Sequence, residues 1–147
     1  MVKKELGKVV ELFISKSGYD TRIKKDILEL DLYGVIEDKF YNKDTKRSVL
    51  LTSEDSYNLI KNNNIKVDHG ILGENLLLSF NPYSLNIGDQ LKIGDTILEI
   101  TQRCTICNHL ASIDKSLPSL LENDRGVFSK VIKNGKVKIN DTIYLIG

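Results

Sequence analysis

The reactive side chains of this chain are crowded into one short run, Thr101-Gln102-Arg103-Cys104-Thr105-Ile106-Cys107-Asn108-His109, which holds both cysteines and one of only two histidines. A thiolate is a nucleophile and a soft metal ligand, and its activity depends on surroundings that favour the charged form. The run falls where a strand is expected to end. If a helical piece starts at Cys107, the unpaired N–H groups of its first turn favour a thiolate there, and Arg103 would add to that field. Spacing alone leaves standing the commonest fate of a free cysteine, that of a small buried hydrophobe. A thioredoxin-like redox pair shares the C-x-x-C spacing but needs a βαβ setting that is missing here. A zinc site would recruit Cys104, Cys107 and His109, with His69 the only other histidine on hand to close four ligands. Attachment of c-type haem needs a histidine directly after the second cysteine, where Asn108 stands. The fourth chemistry is a thiolate that carries persulfide sulfur or binds a soft transition metal such as molybdenum.

A second constellation, Gly70-Ile71-Leu72-Gly73-Glu74-Asn75-Leu76, combines glycines that permit tight turns with two polar side chains. Glu74 and Asn75 there could hydrogen-bond a polar ring or cap a backbone. His69 reads as a surface or turn histidine.

Short strands must position these residues. Residues 8–15 place Val10, Leu12 and Ile14 on one face, and residues 27–32 turn Leu28, Leu30 and Leu32 inward with Glu29 and Asp31 outward. The same period of two returns in Leu91 and Ile93, Leu98 and Ile100, Val137 and Ile139, and Ile143 and Leu145. Turn residues bound each run, so 89–102 reads as a hairpin turning at Gly94-Asp95, and a second hairpin is expected at Asn134-Gly135. Thr52 or Ser53 caps a helix to about Asn63, with Glu54 and Asp55 in its first turn and Leu59 and Ile60 buried. Residues 107–122 read as one or two short helical pieces broken before Pro118. Many short strands with few helices indicate a mainly β barrel or sandwich.

Composition narrows the function classes. The chain has 147 residues, 21 basic and 20 acidic, with 41% hydrophobic residues. That is one globular domain's worth, spanning residues 1–147, with an ordinary core. A net charge of +1 supplies no field to attract nucleic acid or an anionic membrane. Glu5, Lys8 and Glu11 interrupt any signal-peptide core, and no apolar run approaches the roughly 18 residues of a membrane span, so a cytoplasmic location is expected. Two cysteines three apart exclude a disulfide framework.

Taken in order, Arg47-Ser48-Val49-Leu50-Leu51 with Glu54, Gly73-Glu74-Asn75-Leu76, Leu85-x-x-Gly88-Asp89-x-Leu91-x-Ile93-Gly94, Leu98-Glu99-Ile100-Thr101-Gln102 leading to Cys107, and Arg125-Gly126-Val127-Phe128 resemble the MOSC family, domains related to the C-terminal part of molybdenum-cofactor sulfurase. The resemblance covers about residues 8–146. It implies a mainly β, barrel-like fold and a chemistry of sulfur or molybdenum cofactor. It also makes the two thiols unequal: the signature cysteine after the Thr-Gln strand corresponds to Cys107, as sulfur carrier or molybdenum ligand, with Cys104 at most its assistant. Arg47, Asp38, Glu74, Asn75 and Arg125 are the implied cofactor-binding residues. The chain departs from the family at Glu37-Asp38-Lys39-Phe40, where Asp38 is kept but the usual histidine is lost. It departs again at Ser48 in place of glutamine, and in lacking prolines before the signature cysteine.

The resemblance implies three functions. The first is a sulfur carrier or sulfur transferase served by a sulfur donor and molybdenum-cofactor biosynthesis proteins. The second is a molybdopterin-dependent reductase of N-hydroxylated compounds. The third is a non-catalytic pterin-binding module. No haem, flavin or iron–sulfur motif is present in the sequence, so a reductase role would need a separate electron-donor protein.

Overall fold

The computed structural model describes residues 3–19, 21–104, 108–122 and 124–147, and at 108 and 109 the backbone alone. Eleven strands appear among these residues. They are β1 (Lys3–Ile14), β2 (Ile23–Lys25), β3 (Ile27–Asp31), β4 (Gly34–Val35), β5 (Val49–Ser53), β6 (Leu76–Leu78), β7 (Gln90–Ile93), β8 (Thr96–Arg103), β9 (Val127–Lys133), β10 (Gly135–Lys138) and β11 (Thr142–Ile146). Three short helices accompany them: α1 (Glu54–Asn62), α2 (Asn108–Ile113) and α3 (Leu117–Leu120).

Seven strands close a ring in the order β1-β11-β7-β8-β9-β5-β6 and back to β1, with β2 hydrogen-bonded to the end of β1 outside the ring. The architecture is therefore a barrel, and the sandwich alternative is set aside. All ring pairings are antiparallel except β5–β6. Closing so small a sheet needs local bends. Register shifts supply them in β1, between Glu5 and Gly7 and between Val9 and Glu11, and in β8.

Those bends change which side chains enter the core. Val9, Leu12 and Ile14 point into the barrel, whereas Val10 packs with Phe13 on its outer side. The expectation that Val10 faces inward with Leu12 fails because the bulge at Val9/Glu11 shifts the alternation by one residue. Leu28 and Leu30 are buried as expected, but Leu32 is 55% exposed because β3 ends at Asp31 and the chain turns. Ile139 is likewise exposed beyond the end of β10, and Leu145 is only partly buried against the core.

The hairpin at Gly94-Asp95 is present as β7–β8. The one expected at Asn134-Gly135 is not: β10 leaves β9 and pairs with β3 in a separate three-stranded sheet, β10-β3-β4. Gly135 explains the corner. A Cβ there would lie 2.5 Å from the Asp95 carbonyl carbon, so only glycine lets β10 pass the β7–β8 turn this closely.

A second apolar cluster lies outside the barrel, where Phe13 and Leu77 meet Tyr57 and Ile60 of α1, Leu110 of α2, and Leu117 and Leu121 at α3. Strands β5 and β6 are covered on both faces, which is why Val49–Ser53 and Leu76–Leu78 are buried throughout and show no alternation. Helix α1 begins after Ser53, which holds the N-cap position but makes no side-chain capping hydrogen bond, and Thr52 donates to Glu74 instead; the helix carries Glu54 and Asp55 in its first turn and buries Ile60 with Leu59 partly covered. The break before Pro118 is present, with Pro118 in the first turn of α3. Among the described residues no helix is long and apolar enough to cross a membrane.

Candidate functional site

Six chain segments meet around a cavity of about 380 Å³. The end of β8 brings Cys104, the entry to β9 brings Arg125 and Phe128, and the turn before β5 brings Arg47 and Ser48. The approach to β6 brings Gly73 and Asn75, and the 38–44 loop brings Asp38, Phe40, Lys43 and Asp44. Arg22, just before β2, completes the wall. The juncture of Cys104 and Arg125 is built by Gly126, whose carbonyl accepts the Cys104 N–H at 2.9 Å. Gly126 has φ +120°, and a Cβ there would stand 2.5 Å from the Leu51 carbonyl oxygen. Only glycine fits, so Arg125 is delivered to the cavity by a turn that Leu51 of β5 encloses.

The wall is cationic. Arg22, Lys43, Arg47 and Arg125 face Asp38 and Asp44 across it. Arg47 lies over the Phe128 ring at 4.6 Å from its centroid, an arrangement that holds the guanidinium over an aromatic face. Arg22 has a side chain only 17% exposed and stands 3.9 Å from Asp38. Burial pushes its guanidinium below the usual value, against the opposing pull of Asp38 and Glu74, and the Arg125 charge pushes it the same way as burial.

The candidates from the sequence separate into two groups. Arg47, Asp38, Asn75, Arg125 and Cys104 line the cavity together. Asp38 is the positioner of the set. It is buried, its Oδ1 accepts the Ser15 N–H at 2.7 Å and its Oδ2 the Phe40 N–H at 3.0 Å, and it faces Arg22. Asn75 ties strands: its Oδ1 accepts the Leu50 N–H and its Nδ2 donates to the Phe13 carbonyl, at 3.1 and 3.2 Å. Glu74 does not reach the cavity. It is fully buried, accepting hydrogen bonds at Oε2 from Tyr57 at 2.6 Å and Thr52 at 2.8 Å, while Oε1 has no hydrogen-bond partner among the described residues. Its neighbour Tyr57 also accepts the Gly70 N–H at 2.9 Å, so the pair anchors the 70–75 segment that walls the site.

Cys107 lies outside the described residues, as do the side chains of Asn108 and His109. Helix α2 is described from Asn108 onward, so the expectation of a helical start at Cys107 falls on a residue outside the described ones. Arg103 donates from Nε to the Tyr83 carbonyl at 3.2 Å and its guanidinium lies over the Tyr83 ring, while its suggested field at Cys107 concerns a thiol outside the described residues. His69 is the exposed turn histidine expected. Its Nδ1 lies 2.7 Å from Glu11 Oε2, its ring packs on Tyr57, and it lines a larger neighbouring cleft. Sequence reasoning missed Arg22 and Lys43, which sit in no motif. It also missed Tyr57, which shares the buried face of α1 with Ile60 three residues on, a spacing that was there to be read.

No curated protein matches this chain. Solved structures do. The YuaD protein from Bacillus subtilis superposes with a TM-score of 0.82 at 16% identity, covering 98% of each chain. YiiM from Geobacillus stearothermophilus gives 0.69 at 13% identity over 99% of this chain and 76% of its own. YiiM from Escherichia coli gives 0.70 at 18% identity over 95% and 70%. At such identities the likeness is one of fold. The family model for the MOSC domain matches residues 37–144, a span that contains Arg47, Gly73, Cys104, Cys107 and Arg125. The chain thus belongs to the MOSC domain family, which is associated with molybdenum-cofactor proteins.

Proposed function

We propose that this chain handles sulfur for molybdenum-cofactor metabolism, with Cys107 as the carrying thiol and a cationic cavity, lined by Cys104, that receives a phosphorylated acceptor. The observation that supports this reading is the cavity itself: its wall holds Cys104, three residues before Cys107, together with Arg22, Lys43, Arg47 and Arg125. In the transfer the Cys107 thiolate attacks the outer sulfur of a donor persulfide, R–S–SH. The donor S–S bond breaks, R–S⁻ leaves, and Cys107 becomes Cys–S–SH, with the sulfane sulfur unchanged in oxidation state. Attack by the Cys104 thiolate on the Cys107 sulfur would release HS⁻ and leave a Cys104–Cys107 disulfide, clearing a stalled carrier. The partners of this reading are a sulfur donor and molybdenum-cofactor biosynthesis proteins. Alkylation before and after exposure to a sulfane donor, followed by intact mass, should show the gain of one sulfur atom. The gain is expected to vanish in Cys107→Ala and to survive in Cys104→Ala; its absence from the native chain rejects the reading.

The residues present suit the phosphorylated pterin of the molybdenum cofactor. The four cationic side chains offer charge-assisted hydrogen bonds to phosphate, and Phe40, Leu50, Leu72 and Phe128 offer an apolar wall for a flat ring. As the family resemblance implies, the protein ligand to molybdenum would be the Cys107 thiolate, a soft donor suited to that metal. Bound there, the cofactor would supply two-electron redox chemistry. This is the second reading, a reductase of N-hydroxylated compounds fed by a separate electron-donor protein, and the aromatic and cationic wall favours it. Metal analysis of protein made in a cofactor-competent host decides it: molybdenum near one per chain supports the reductase, and its stoichiometric absence rejects it.

A further inference from the structure

We infer that the exposed face formed by the β3–β4 turn and the 38–47 loop, at the mouth of the cavity, docks an acidic segment of the protein that brings sulfur to the site. The inference rests on the sulfur-handling reading and adds to it where, and by what chemistry, the donor is recognised. Leu32, Tyr33 and Phe40 are 55%, 54% and 47% exposed, large apolar side chains that the fold leaves in water. They stand on one built surface. The Asn42 N–H donates to the Tyr33 carbonyl at 2.9 Å, the Tyr33 and Tyr41 rings meet edge to face with centroids 6.2 Å apart, and the Tyr41 hydroxyl donates to Asp31 at 2.5 Å. Phe40, Lys43 and Arg47 are exposed and also line the cavity, so this face runs on to its mouth. The Lys46 carbonyl accepts the Thr101 hydroxyl, which ties the loop to β8, the strand that leads to Cys104.

Charge says what covers this face. Lys43, Lys46 and Arg47 are exposed and form no ion pair among the described residues. The carboxylates beside them are engaged from within the same surface. Asp44 Oδ1 accepts the Lys46 N–H at 3.1 Å, Asp31 accepts the Tyr33 N–H and the Tyr41 hydroxyl, and Glu37 lies 3.5 Å from Lys25. An apolar centre with a cationic rim is complementary to a protein segment that is apolar in its middle and acidic at its edge, and opposite charge also steers such a partner to the mouth. Leu32, Tyr33 and Lys46 stand outside the cavity wall, so a ligand small enough to enter the cavity leaves them uncovered. A protein donor covers them.

The test uses two synthetic peptides on the full chain, one of aspartate and leucine around a single cysteine and the other with asparagine for aspartate, together with the double variant Tyr33→Ala/Lys46→Glu. Both side chains are exposed, so this variant folds, and circular dichroism verifies it. Binding of the peptides with the cysteine blocked reads the face alone. At low salt the acidic peptide should bind the native chain about ten-fold more tightly than the neutral one, and that margin should vanish in the double variant and shrink as salt is raised. Transfer from the persulfidated peptides, read as the gain of one sulfur atom by intact mass, should follow the same order, while the rate from free cysteine persulfide stays the same in the native chain and the double variant. Equal binding of the two peptides, or a margin that survives in the double variant, overturns the docking face alone. A dimer of the native chain in sedimentation that the double variant abolishes makes the occupant a second copy and overturns it too. Peptide binding as expected with no sulfur gained from any persulfide overturns the sulfur-handling reading, and with it the partner's role as donor.

Discussion

Glu74, held by Tyr57, shows how a residue can belong to a family motif and still act by supporting the site rather than touching its ligand. The Tyr57 hydroxyl donates to Glu74 and accepts the Gly70 N–H, both in the interior. Tyr57→Phe therefore leaves Glu74 Oε2 with Thr52 as its one donor and strands the buried Gly70 N–H, at a cost of about 2–3 kcal/mol. For a chain of this length that lowers the melting temperature by about 5 °C or more, which differential scanning calorimetry reads. Glu74→Gln retains an acceptor for Tyr57 and should cost less than Glu74→Ala. Arg47 is the converse case. It is exposed and stacked on Phe128, so Arg47→Ala is expected to leave the melting temperature within about 1 °C while weakening phosphate binding several-fold. The sequence offered Arg47, Asn75, Arg125 and the two thiols as a group because their motifs are local and ordered. It could not offer Arg22, which reaches the same cavity from a segment with no motif.

At the scale of elements, the bulges and corners carry the difference between the expected and observed barrel. Val9 is fully buried inside the ring and Val10 is half-buried outside it, so Val9→Ala should cost about 2 kcal/mol or more and Val10→Ala distinctly less. Equal losses in chemical denaturation would contradict the shifted register. Gly126→Ala meets both a left-handed backbone and the Leu51 carbonyl, and should destabilise by about 3 kcal/mol while displacing Arg125, so phosphate affinity falls with it. The β7–β8 hairpin, helix α1 and the break at Pro118 were legible because turn residues, first-turn carboxylates and periodicity are local signals. Strands β5 and β6 gave no alternation to read, since both their faces are covered.

For the whole molecule, the buried phenol of Tyr57 sets an alkaline limit. Burial, then the Glu74 charge, pushes its ionisation upward, so above the ordinary tyrosine value of about 10 the unfolded chain sheds a proton that the folded chain keeps. The contribution is complete below pH about 10 and is lost as pH rises beyond it; stability should fall there, less steeply in Tyr57→Phe. Tyr41, bonded to Asp31, is pushed up to about 12, and ultraviolet titration of Asp31→Asn should return it towards the ordinary value. A ligand that binds only the folded cavity stabilises by mass action, so phosphate should raise the melting temperature at low salt and lose that effect as salt screens the cationic wall.

The sequence by itself determined the β-rich composition of the fold, its single long-range signature of ordered motifs, the helix at 54–62 and the candidacy of the thiol segment, because spacing, first-turn charge and turn chemistry act between near neighbours. Tertiary structure alone decided that β10 leaves β9 for β3, that β5 and β6 run parallel, that Val9 rather than Val10 enters the core, and that Arg22 joins Arg125 beside Cys104. Each of those depends on a partner distant in the chain, and no local pattern encodes which distant backbone will stand 2.5 Å from a missing Cβ.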